Sequence, residues 1–266
     1  MHHASTATDG DHPGDLARPV PVTIDPRFRG PVSSGNGGYT AGLLAQVLLT
    51  TTSLPDPHDQ APQAVEVTLR MPPPLGRPLR VETFEDGVRM LDSDALVGTA
   101  VLAELDPTRC VDAVSESAAL AAEAAYRGLV SHPFPECFVC GTARTRGDGL
   151  ALRPGTVSDG RTACTWRPDP SLADAEGLVR PEFVWAALDC PGGWTADLEG
   201  RPLVLGRMTA CVDARPRVDE LHVVTGSLLG AEGRKTFSAS AVHDSDGRVV
   251  GRAAHTWIEI DPAGFA

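Results

Sequence analysis

Phe183-Val184-Trp185-Ala186-Ala187-Leu188-Asp189 is a run of six apolar residues closed by a carboxylate. A helix apolar on every side is a buried helix, and a buried ionisable group without a partner costs enough free energy that it commonly has a task. Pro181 suits the first turn of such a helix. Cys190-Pro191-Gly192-Gly193 predicts its end, because proline and glycine follow helix C-termini. Asp189 would then sit where negative charge opposes the helix dipole, so a capping role explains it poorly.

A second helix of the same kind is predicted at Tyr39-Thr40-Ala41-Gly42-Leu43-Leu44-Ala45-Gln46-Val47-Leu48-Leu49, entered through the turn Ser33-Ser34-Gly35-Asn36-Gly37-Gly38. Around these two helices the chain reads as short strands. In the first half they fall at residues 20–24, 64–71, 78–84, 88–91 and 95–105, with a proline-bearing loop at 54–62 and turn signals such as Glu85-Asp86-Gly87. An alanine-rich helix at 117–126 and a Gly/Pro/Cys loop at 128–149 follow. In the second half strands are expected at 149–153, 161–166, 203–212, 220–229, 234–242 and 248–260. Each half thus reads strand, buried helix, four-strand meander, and an all-apolar helix needs a curved sheet wrapped around it.

The 266 residues, 42% apolar and 22% charged, suffice for a core without staples. A formal net charge of −12 argues against nucleic acid or an anionic membrane as a partner, since both need a broad basic face. Lys235 is the sole lysine, so an anionic ligand would be met by arginines, whose fork suits phosphate and carboxylate. Six scattered cysteines and no apolar N-terminal segment predict a cytoplasmic protein with reduced thiols. Residues 1–18 read as a disordered leader.

These features together resemble the hotdog superfamily of acyl-CoA thioesterases in its double-hotdog form, in which two copies in one polypeptide imitate a two-subunit dimer. The resemblance implies an α+β fold of two tandem repeats, residues 19–131 and 132–266, each a curved antiparallel sheet around a central helix. In hotdog thioesterases of the phenylacetate-pathway type a His-Gly-Gly or Asn-Gly-Gly turn opens the helix, and a carboxylate follows nine residues after its first member. Helix N-terminal amides polarise the thioester carbonyl, and the partner's helix supplies the acid.

Asn36-Gly37-Gly38 matches that turn, yet nine residues after Asn36 stands Ala45. Asp189 matches the acid, yet the positions answering to the glycines are Pro181 and Glu182, and proline has no N–H to donate. The two defects are complementary. One composite site is expected, with Asn36, Gly37 and Gly38 facing Asp189, while its mirror image is inert. Asp189 would act as general base or as nucleophile on an acyl-CoA or acyl-carrier-protein thioester.

Tyr39, Trp185, Arg207, Arg234 and Lys235 are the substrate-binding candidates, with Arg180 as a further phosphate contact and Thr209 as a helper hydroxyl. Cys137-Phe138-Val139-Cys140-Gly141, with His132 nearby, has the spacing of half a zinc site. It lacks a second pair at ligand spacing, so a structural loop is expected and neither metal nor cofactor. No histidine has an aspartate five residues before it, which disfavours a hotdog hydratase. The alternatives kept open are a non-catalytic acyl-CoA-binding protein and another acyl-thioester reaction, such as dehydration, isomerisation or cyclisation in secondary metabolism. Double-hotdog chains often pair, which leaves a homodimer open.

Overall fold

The computed structural model describes residues 20–52, 62–106, 109–145 and 147–261. The expected leader and all but the last residue of the loop at 54–62 lie outside the described residues. Along the chain run β1 (Val20–Thr23), α1 (Gly37–Thr51), β2 (Ala64–Leu69), β3 (Pro78–Phe84), β4 (Gly87–Asp92), β5 (Ala95–Ala103) and α2 (Glu116–Glu123). Then come β6 (Gly155–Ser158), β7 (Arg161–Trp166), α3 (Pro181–Gly193), β8 (Leu203–Val212), β9 (His222–Glu232), β10 (Lys235–His243) and β11 (Val249–Glu259).

The eleven strands of the described residues join one sheet in the order β1-β3-β4-β5-β2-β8-β11-β10-β9-β7-β6, and every pairing among them is antiparallel. β2 and β8 meet in the middle, with Val65 opposite Ala210 and Thr68 opposite Arg207. Outward from this seam the two sides follow the same path. One runs β2, β5, β4, β3, β1 and the other β8, β11, β10, β9, β7, with β6 added at the far edge.

α1 packs on β2 to β5 and β8, α3 packs on β7 to β11, and the two helices pack on each other. That arrangement explains their apolar content: α3 buries Phe183, Val184, Trp185 and Leu188, and α1 buries Leu44, Leu48 and two alanines. Fully burying each of the larger side chains contributes about 1.5–3 kcal/mol. The close approach of the helices requires glycine on α1. A Cβ at Gly38 would lie 2.5 Å from Asp189 Cβ and 2.7 Å from the Trp185 carbonyl oxygen, and one at Gly42 would lie 2.7 Å from Glu182 Cα. One helical turn separates these glycines, so they line a single seam.

Two expectations are corrected. The strand expected at 149–153 is absent: Leu150 and Leu152 instead donate their N–H groups to the carbonyls of Phe138 and Val139, and Ala151 adopts φ +54°. Regular pairing starts only after Pro154, in the β6–β7 hairpin. The second correction concerns the end of α3, which runs through Pro191 to Gly193 rather than stopping before it. Proline removes one helical N–H. Neighbouring hydroxyls cover carbonyls of that turn, Ser240 Oγ donating to Leu188 O at 2.6 Å and Thr162 Oγ to Pro191 O at 2.7 Å. Asp189 therefore sits inside the helix, more than a turn before its last residue.

Candidate functional site

The N-terminus of α1 is organised by Asn36. Its backbone is extended, as an N-cap requires, and its Oδ1 accepts the Tyr39 N–H at 2.9 Å. This fixes the amide orientation and turns the NH₂ group toward α3. There Nδ2 donates to Asp189 Oδ2 at 2.8 Å, and it also faces Cys137 Sγ at 3.8 Å. The Gly38 N–H donates to the same carboxylate oxygen at 3.1 Å. One oxygen of Asp189 is thus held by two donors from α1, while Oδ1 has no hydrogen-bond partner among the described residues.

Asp189 is only 3% exposed. Burial pushes its carboxyl up to about 7, opposed by the hydrogen bond from Gly38 and, more weakly, by that from Asn36. A thiol cluster lies close by, on the side of Asn36. Cys137 Sγ lies 3.7 Å from Cys190 Sγ, and the sulfurs of Cys137, Cys140 and Cys190 all lie within 4.8 Å of one another.

Asn36, Gly37, Asp189 and the three cysteines line a cavity of about 250 Å³. Its other walls are mainly apolar and include Leu69, Met71, Phe134, Trp194, Leu205 and Trp257. Gly37 is the first residue of α1, so its N–H has no acceptor within the helix. The Gly38 amide is already given to Asp189, which leaves Gly37 as the helix donor available to an occupant of the cavity.

The structure therefore brings Asn36, Gly37, Gly38 and Asp189 together. It does not bring the other candidates to the cavity, for none of Tyr39, Trp185, Arg207, Arg234 and Lys235 lines it. Tyr39 stacks on Phe28 at 4.2 Å and on Phe183 at 5.6 Å, within a buried aromatic cluster. Trp185 is buried beneath Gly42, its Cβ 2.9 Å from where a Cβ would stand there. Arg207 pairs with Glu66 at 3.5 Å, Thr209 donates to Glu66 at 3.4 Å, and Arg234 donates to the Glu259 carbonyl at 2.8 Å. Lys235 opens β10 opposite Glu232. Arg180 caps α3 without a side-chain bond to its backbone and lies over the Phe183 ring at 4.8 Å.

Sequence reasoning missed Arg70, Cys190 and Trp194 as lining residues. Only for Cys190 was there a signal: its place directly after the singled-out acid. No helix among the described residues is long and apolar enough to cross a membrane.

No protein-family model matches the sequence, and no curated protein matches it. Solved structures do match. A TesB protein from Mycobacterium avium subsp. paratuberculosis superposes with a TM-score of 0.59 at 11% identity, covering 92% of this chain and 94% of its own. A conserved protein of unknown function with a hot dog fold, from Alicyclobacillus acidocaldarius, gives 0.57 at 13% identity, with the same coverage. A candidate thioesterase from Novosphingobium aromaticivorans gives 0.58 at 12% identity, over 92% of this chain and 96% of that one. At such identities the likeness speaks for architecture, and it agrees with a long antiparallel sheet curved over buried helices: the chain has the α+β hotdog fold.

Proposed function

We propose that this protein hydrolyses an acyl thioester, carried by coenzyme A or by an acyl-carrier protein, at one site formed between two tandem hotdog repeats, residues 19–131 and 132–266. The repeat reading is supported by the identical strand path on either side of the β2–β8 seam. A candidate thioesterase and a TesB protein among the proteins of similar architecture favour the reaction class. The observation that carries the proposal is the tethering of Asp189 by Asn36 Nδ2 and the Gly38 N–H through one oxygen only, at the wall of a largely apolar cavity.

That arrangement divides the chemistry by atom. Oδ2 is spent on holding the carboxylate in place, and Oδ1, buried and without a partner among the described residues, is the oxygen assigned to the chemistry. In the general-base route Oδ1 takes a proton from water as the water oxygen bonds to the thioester carbonyl carbon. The carbonyl oxygen becomes an oxyanion, and the Gly37 N–H at the positive end of α1 is the donor suited to it. Collapse breaks the carbon–sulfur bond, and the proton passes from Asp189 to the departing thiolate. In the nucleophilic route Oδ1 bonds to the carbonyl carbon, the thiolate leaves, and water then cleaves the mixed anhydride. The mirror-image position offers neither part, since Ala45 has no carboxylate and Pro181 no N–H.

The test is a thiol-release screen over acyl-CoAs of increasing chain length with native protein and Asp189→Asn. Asparagine can still accept both α1 donors, so the variant should keep its melting temperature within a few degrees. Its turnover should fall on the order of 10²-fold to 10⁴-fold, the range for loss of a positioned acid–base group. Native protein that binds acyl-CoA yet releases no thiol would overturn hydrolysis in favour of a binding module. Oxygen-18 from water appearing in Asp189 after a single turnover would select the nucleophilic route.

A further inference from the structure

We infer that Cys137, Cys140 and Cys190 form a three-sulfur binding site for a soft divalent cation of the zinc class, facing the cavity beside Asp189. The first two belong to a Cys-x-x-Cys-Gly turn, and α3 delivers the third from 50 residues further along the chain. Tetrahedral zinc with sulfur at about 2.3 Å sets its ligands about 3.8 Å apart. The 3.7 Å between Cys137 and Cys190 meets that spacing, and the whole trio falls within 4.8 Å.

Buried cysteines also pack as small apolar side chains, and three thiols in contact are not by themselves a metal site. The surroundings distinguish the two cases, because N–H donors converge on the sulfurs. Trp194 Nε1 donates to Cys140 Sγ at 3.4 Å, and Asn36 Nδ2 faces Cys137 Sγ at 3.8 Å. A thiol is a weak acceptor and an apolar packing site has no use for such donors. Metal-bound thiolates carry charge and are stabilised by them. Gly141 completes the turn: its N–H donates to the Cys137 carbonyl at 2.9 Å, and a Cβ there would lie 2.5 Å from the carbonyl oxygens of Cys137 and Pro135.

His132 belongs to the surroundings rather than to the ligand set. Its Nδ1 accepts the Phe134 N–H at 2.9 Å, so Nε2 carries the proton and presents it to Cys140, 3.1 Å from the carbonyl oxygen and 3.4 Å from the sulfur. The fourth position is left to a solvent ligand from the cavity. Binding exchanges three S–H bonds for three metal–sulfur bonds, releases three protons to solvent and changes no oxidation state. The inference rests on the sulfur geometry and on the N–H donors around it, and it is independent of the hydrolysis reading.

The test titrates reduced, metal-stripped full-length protein anaerobically with Co²⁺, with Zn²⁺ as competitor. Expected are a stoichiometric near-ultraviolet sulfur-to-cobalt charge-transfer band, bleaching of that band by Zn²⁺, and protection of three thiols from a thiol reagent. Cys190→Ala and Cys137→Ala should each weaken binding at least tenfold, while Cys164→Ala, buried elsewhere in β7, should not. Absence of the charge-transfer band in native protein would overturn the inference, as would cobalt held by nitrogen and oxygen ligands only, or undiminished binding by folded Cys190→Ala. The native-protein spectrum decides even if a cysteine variant fails to fold.

Discussion

Asn36 does two jobs with one amide, and substitution can separate them. Its oxygen caps α1 and its nitrogen tethers Asp189. Asn36→Ala loses both, so it should destabilise the protein by about 1 kcal/mol from the cap alone, with a further loss because Asp189 Oδ2 keeps only the Gly38 donor. Asn36→Ser can still cap the helix but cannot reach across to the acid. Urea unfolding should place serine above alanine by roughly 1 kcal/mol, while thiol release should fall similarly in both. Equal stability in the two variants would show that the cap contributes little here. Full activity in serine would remove the tether from the mechanism.

At the scale of elements, the α1–α3 seam sets how near the acid comes to the amides. Gly42 lies one turn beyond Gly38 and touches nothing catalytic, so it reports on the seam alone. In Gly42→Ala the new methyl would meet Glu182 Cα and Trp185 Cβ, at 2.7 and 2.9 Å. Backbone and a packed indole stem yield little, so the helices must part, at a cost of about 1–3 kcal/mol. The urea midpoint should fall accordingly, and thiol release should fall with it, because the Gly38–Asp189 hydrogen bond spans the same seam. A variant as stable as the native protein would show that the helices are not held at this distance.

At the scale of the whole molecule, a histidine on β11 packed under the end of α3 makes a contribution to stability that acid removes, opposite in sign to that of the buried Asp189 carboxyl. His255 is 4% exposed, its Nδ1 meets Ser238 Oγ at 3.3 Å, and its Nε2 has no partner among the described residues. Burial lowers its pKa from 6.5 to about 4. The folded value lies below the unfolded one, so the unfolded chain binds the extra proton more readily. The corresponding stability is complete above about pH 6.5 and is lost as pH falls toward about 4, on the order of 3 kcal/mol in all. Unfolding free energies measured at pH 7 and pH 4.5 should differ less in His255→Gln than in native protein, even though the variant is weaker at pH 7. An unchanged difference would assign the acid sensitivity to other groups.

Both buried helices, the strand pairs of each meander and the placement of Asn36-Gly37-Gly38 before one helix and Asp189 on the other were legible in the chain, because periodicity, turn residues and motif spacing are local properties. Where reading failed locally, a non-local partner had intervened. Residues 150 and 152 pair with the cysteine loop instead of forming a strand, and hydroxyls from β7 and β10 cover the carbonyls of a helix that continues through Pro191. Sequence does not show that Arg207 will pair with Glu66 or that Arg234 will meet the Glu259 carbonyl, because those partners come from other strands. The sequence by itself determined the two apolar helices and the strands around them, and it put Asn36-Gly37-Gly38 before one helix and Asp189 on the other. Only the tertiary structure decided that Asn36 and Gly38 hold one oxygen of Asp189 and that Cys190 joins Cys137 and Cys140. Those contacts span from 50 to more than 150 residues of chain, and they exist only once α3 docks against the N-terminus of α1 and the cysteine loop.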